Sequence, residues 1–175
     1  MIAVLDIETT GLNFCYDKIL EIGIVFLDVE NELIFPALHM IIKNDVNGKE
    51  WIFQHSSLRK EEVSCSLIKM EDAKFFIDKI TYPFVSYNTK FDFGFLSKYD
   101  IIPKKILPDP MLLLTPIIKL KRMNSTWSYK WPKVQEALDF FGIKKVEEHR
   151  ALSDALLEAE IVLNMYTRKM YEVVV

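Results

Sequence analysis

The opening run Ile2-Ala-Val-Leu-Asp-Ile-Glu8 constrains the fold most, because two acids stand two residues apart in a segment that is otherwise wholly apolar. Aliphatic residues without a helical period read as a buried strand, and Thr9-Thr10-Gly11 reads as the turn that follows. Residues i and i+2 of a strand leave the same face, so the side chains of Asp6 and Glu8 converge. Two carboxylates on one buried face repel, and a proton or a cation has to compensate the loss of water. A divalent metal with oxygen ligands does so directly. The plainer reading is an edge strand with both acids in water.

Residues 20–30 and 33–43 read as the next two strands, joined by a polar turn around Asn31, which gives a three-stranded antiparallel meander. Pro36 in the third run marks an edge or a bulge, since proline cannot donate to the ladder. Residues 56–80 are helix-like, with apolar positions 73, 76, 77 and 80 at helical spacing. Residues 83–88 form a short strand, and Asn88 is placed as the N-cap of a helix through residue 99. Ile106-Leu-Pro-Asp-Pro110 leads from a strand into a helix that Pro116 is placed to kink. A helix after Trp131 has Pro132 near its first turn and Gly142 at its stop, and a last helix runs from Ala151 to Met170. Strands first, then alternating helices and strands, predict an α/β chain with a mixed sheet.

At 175 residues, half of them apolar and 13% aromatic, the chain is expected to form one domain over residues 1–175 with a packed interior. No apolar run reaches the roughly 18 residues of a membrane helix, and the start lacks the positive leader of a secretory signal. The expectation is therefore a soluble, cytoplasmic protein with no membrane partner. Cys15 and Cys65 make neither a metal spacing nor a disulfide framework. The net charge of −3 argues against a protein that coats duplex nucleic acid. Residues 98–145, however, carry +6 and leave −9 for the remainder, which suits an acidic pocket beside a basic path for phosphates. Solvated helix faces are the alternative.

Asp92 stands among Phe91, Phe93 and Phe95, where a carboxylate needs a reason; stabilisation of a helix start is one such reason. His149 and Asp154 straddle the entry to the last helix, so Asp154 can point at the sheet while His149 swings over the same place. An imidazole can take a proton from water near neutral pH, as a hydrolytic general base must. A surface or capping histidine is the competing reading. Trp127, Tyr129 and Trp131 beside Lys130 and Lys133 suit stacking of unpaired bases and holding of phosphates, or else anchor helices.

Taken in order, Asp6-Ile-Glu-Thr-Thr-Gly-Leu12, Asn88-Thr-Lys-Phe-Asp92 and His149-Arg-Ala-Leu-Ser-Asp154 resemble the three motifs of the DEDDh branch of the DnaQ-like 3′–5′ exonucleases, the family of the bacterial polymerase III proofreading subunit. The resemblance implies a ribonuclease-H-like fold: a central mixed five-stranded sheet, an antiparallel meander plus parallel strands, flanked by helices. It implies two Mg²⁺ or Mn²⁺ ions held by Asp6, Glu8, Asp92 and Asp154, with His149 as general base, releasing nucleoside 5′-monophosphates from single-stranded or frayed ends. Thr9, Thr10, Gly11 and Leu12, with Asn88 and Phe91, would receive the terminal nucleotide. DNA is the expected substrate and a polymerase or another replication or repair protein the expected partner. An RNA-trimming enzyme, a silent nucleic-acid-binding module of the same fold and a phosphatase of small molecules are the alternatives. One departure is visible: Tyr87 stands where many relatives have histidine, which leaves the ligand set intact but alters local packing. His39 and His55 match no motif.

Overall fold

A computed structural model describes residues 1–122 and 128–172. Strand β1 (Ile2–Thr9) lies inside the sheet, antiparallel to β2 (Ile19–Asp28) and parallel to β4 (Phe84–Val85). Strand β3 (Leu33–Ile41) pairs antiparallel with β2 on the outer side, giving the order β3-β2-β1-β4. Pro36 fits because β3 is an edge strand and its ladder with β2 shifts register between Ile24 and Val25, the latter pairing with Pro36.

The sheet has four strands rather than the expected five. Where a fifth was expected, a single parallel bridge joins Phe84 to Ile106, with Phe84 N–H donating to Lys105 and Leu107 N–H donating to Phe84. Extension fails for two reasons. β4 is only two residues long, and Pro103 and Pro108, on either side of the bridge, lack ladder donors.

The period-two alternation of β1 divides the interior. Ala3, Leu5 and Ile7 join Ile22, Ile24, Ala73, Ile77, Phe95 and Leu96 on the side of α3 (Met70–Ile77) and α4 (Thr89–Ser97). Ile2 and Val4 join Val25 and Leu27 on the other side, packed with α5 (Pro110–Ile118), α6 (Val134–Phe141) and α7 (Ala151–Thr167). By the same alternation Asp6 and Glu8 share the α7 side. The helix-like stretch 56–80 contains α2 (Lys60–Cys65) and α3, with α1 (Ile52–His55) just before it, and Phe76 is half exposed.

Helix ends follow the sequence in part. Gly142 stops α6 in the left-handed conformation, φ 77°, as expected of a C-terminal glycine. α6 begins at Val134, so Pro132 lies just outside it, and α5 ends two residues after Pro116. Asn88 does occupy the N-cap position of α4, but at φ 70° and without a side-chain cap. Asp109 supplies the acceptors instead, taking the N–H groups of Asn88 (3.3 Å) and Thr89 (3.0 Å) while also capping its own helix through Met111 N–H (2.8 Å). Among the described residues no helix is long and apolar enough to cross a membrane.

Candidate active site

The approach of α7 to the sheet begins with a missing side chain. Gly23 faces Asp6 across the β1–β2 ladder, and a Cβ there would lie 2.3 Å from the Ala151 backbone. Only glycine lets the first turn of α7 rest on β2, and that contact carries Asp154 to the face that Asp6 and Glu8 occupy. Asp92 enters from the first turn of α4, at the end of β4 beside β1, and is buried. The structure thus gathers Asp6, Glu8, Asp92 and Asp154 into one acidic cup. His149 stands at its edge: ligand atoms of Glu8, His149 and Asp154 lie within 4.8 Å of one another.

A fifth acid shares the cup and went unread in the sequence. Glu158 follows Asp154 by four residues, one helical turn along the same face, and is buried against Asp6, Asp92 and Asp154. Its Oε2 accepts the Tyr87 N–H at 3.1 Å, while the Tyr87 hydroxyl donates to the Pro132 carbonyl at 2.8 Å. Tyr87 therefore ties the β4–α4 turn both to α7 and to the segment that leads into α6.

Burial dominates the electrostatics. It pushes Asp6 and Glu158 well above the ordinary carboxylate range, with Glu158 adding to it at Asp6 and Asp92 at Glu158. Burial raises Glu8 to about 9, reinforced by Asp154 and Glu21, and Asp92 to about 8. Asp154, also raised by burial, comes to about 6; it accepts an N–H from Glu148 at 3.1 Å. Asp6 Oδ2 is buried with no hydrogen-bond partner among the described residues. An acceptor left bare beside several like charges, in a set of hard oxygen donors, fits a divalent cation such as Mg²⁺ or Mn²⁺.

Next to the cup, Thr9, Thr10, Gly11, Leu12 and Phe91 line a mainly apolar cavity of about 500 Å³, together with Glu8, Trp51 and Ile52. Asn88 does not line it; its backbone is held by Asp109. Trp51, which carried no signal in the sequence, is half exposed, stacks on His55 (4.2 Å, 9°) and meets His149 edge-on at 5.0 Å. His39, also unassigned, contacts Glu21 on β2. In the basic segment Lys98 donates to the Asp17 carbonyl, Lys130 pairs with Glu136 and Lys145 with Glu160. Lys130 is thus engaged within the fold. Tyr129 and Trp131 are exposed, and Trp127 lies outside the described residues.

The exonuclease family model RNase_T matches residues 3–162. The chain belongs to this exonuclease family. The DnaQ-like assignment made from the three motifs is borne out, and so is the ribonuclease-H-like fold apart from its fifth strand. A curated relative, the 3′-5′ exonuclease DinG of Staphylococcus haemolyticus (strain JCSC1435), is 30% identical over 176 residues, covering 95% of this chain and 18% of DinG. The chain spans about a fifth of the length of the curated relatives it matches. Among solved structures, Exonuclease X in complex with 5′ overhanging duplex DNA has a TM-score of 0.66 at 17% identity, covering 97% of this chain and 93% of that one. The nuclease domain of 3′hExo, a DEDDh family member bound to rAMP, has a TM-score of 0.69 at 15% identity, covering 95% and 92%. These likenesses establish the fold of this exonuclease-family chain.

Proposed function

We propose that residues 1–175 form one metal-dependent 3′–5′ exonuclease domain that hydrolyses phosphodiester bonds at single-stranded or frayed ends and releases nucleoside 5′-monophosphates. The observation that carries this reading is the buried cup itself, in which Asp6, Glu8, Asp92 and Asp154 crowd together, Asp6 Oδ2 without a hydrogen-bond partner among the described residues, with His149 beside them. A module that only binds nucleic acid has no use for clustered acids that repel phosphate, which argues against the silent alternative.

Asp6, Glu8, Asp92 and Asp154 would hold two Mg²⁺ or Mn²⁺ ions. Such ions, when bound, neutralise charge on the scissile phosphate and acidify an attacking water. His149 would serve as the general base toward an attacking water, a role that its place beside Glu8 and Asp154 allows. Thr9, Thr10 and Gly11 present backbone to the terminal sugar, and Leu12, Phe91, Trp51 and Ile52 offer apolar walls to its base. DNA is the substrate we favour, with a polymerase or another replication or repair protein as the setting.

A time course on matched single-stranded DNA, single-stranded RNA and mismatched duplex ends, with Mg²⁺, Mn²⁺ or chelator, tests the reading. Metal-dependent release of mononucleotides from the 3′ end is expected, faster on DNA. Faster trimming of RNA would replace the DNA assignment by the RNA one, activity on nucleotide monophosphates alone would replace it by a phosphatase, and no metal-dependent cleavage of any substrate would remove it.

A further inference from the structure

Glu21 is fully buried on β2, directly opposite Glu8 in the β1–β2 register. Unlike the acids of the cup it is saturated with donors. Arg150 Nε donates to Oε1 (3.0 Å) and Oε2 (3.1 Å), and Nη2 donates to Oε1 (2.7 Å). The Ala151 N–H donates to Oε2 at 3.1 Å, and His39 Nε2 lies 2.6 Å from Oε1. The other arm of the guanidinium, Nη1, reaches Ser57 Oγ at 3.1 Å. Arg150 is the N-cap residue of α7 but caps nothing with its own side chain; Glu21 receives the first helical amide from the neighbouring strand.

His149 immediately precedes this knot, at φ 54°, in the left-handed region that only a few per cent of non-glycine residues occupy. Both neighbours are fastened. Glu148 N–H is bound by Asp154 Oδ1 on one side, and Arg150 is clamped by Glu21 on the other. Behind them Ala151 rests on Gly23. A helix cap alone would need only the Ala151 amide. The guanidinium fork adds control over the orientation of residue 150, and hence over the residue attached to it.

We infer that Glu21 and Arg150 are positioning residues that hold the His149 imidazole against Glu8 and Asp154, touching neither substrate nor metal. The inference rests on the exonuclease reading, in which His149 is the base.

Arg150→Ala, Arg150→Lys, His149→Ala and the Arg150→Ala/His149→Ala double variant of the full chain are compared on one oligonucleotide, with Mn²⁺ calorimetry and a thermal midpoint for each. Arg150→Ala should lower kcat about 10- to 100-fold while KM and Mn²⁺ affinity stay within about twofold. Lysine should recover only part, because an ammonium cannot grip both carboxylate oxygens. In the His149→Ala background, removing Arg150 should change the residual kcat no further. Should Arg150→Ala fail to fold, Glu21→Gln, which retains an acceptor for Ala151, replaces it in the same cycle with a smaller loss of the same pattern. A full Arg150 penalty that persists without His149, or a fall in Mn²⁺ affinity that tracks kcat, overturns the inference and leaves a merely structural clamp. An inactive wild type removes the exonuclease reading and the inference with it, whereas a His149→Ala variant as active as wild type leaves the exonuclease reading standing and overturns the inference alone.

Discussion

Glu8 and Glu21 sit opposite each other on adjacent strands, and their environments drive them in opposite directions. Glu8 joins a cup of acids, so burial and neighbouring carboxylates raise it to about 9. Glu21 is buried too, but His39, Arg150 and the Ala151 amide outweigh that burial and hold it below the ordinary range. Depth below the surface is therefore a poor guide to charge state. For this pair the donors that Glu21 meets, a guanidinium among them, decide it. One carboxylate is complete within the fold, whereas the other belongs to a set that only a proton or a metal completes.

This contrast can be broken experimentally, beginning with the largest effect. Asp154→Asn removes an acid from the unpaired set and should lower metal-dependent cleavage about a thousandfold, ~4 kcal/mol of barrier, read as kcat/KM. Glu21→Ala should act on folding instead, since it leaves Arg150 without its carboxylate; a loss of about 3 kcal/mol in urea unfolding is expected. Mn²⁺ at a hundred times its dissociation constant should stabilise the protein by about 2.7 kcal/mol at pH 8. The gain should shrink at pH 5, where protons compete for the cup.

The smallest effect carries the sharpest sign. Glu8 and Asp92 keep protons in the folded state that the unfolded chain has already released. Their contribution to stability is complete below about pH 4. It is lost as the pH climbs through their folded values of about 9 and about 8. Glu8→Gln should accordingly raise the stability of metal-free protein at pH 8 by about 1 kcal/mol, measured by thermal unfolding. A stabilising change at Glu8 and a destabilising one at Glu21 would together establish the contrast; a loss of stability at both would show that the cup is as well compensated as the clamp.

Several parts of this arrangement could be read along the chain. Asp6 and Glu8 announce a shared face because strand alternation is a local rule, and Pro36 and Gly142 act through their own backbones. Glu158 was equally within reach, since its four-residue spacing from Asp154 puts it on the same helical face. Other features gave no local sign. The cap of α4 comes from Asp109, 20 residues beyond Thr89. The partner of Glu21 is 129 residues away, and Trp51 meets His149 only because two loops converge.

The sequence by itself determined which groups could do chemistry, in what order, and on which strand or helix end each stands, because alternation, helical period and the recurring motif residues are properties of neighbouring positions. Tertiary structure alone decided which buried carboxylates face one another and which meet a guanidinium. That distinction depends on what crosses from another element, on a glycine that lets α7 touch β2 and an arginine that reaches the strand beneath it, and no spacing along the chain encodes such a meeting.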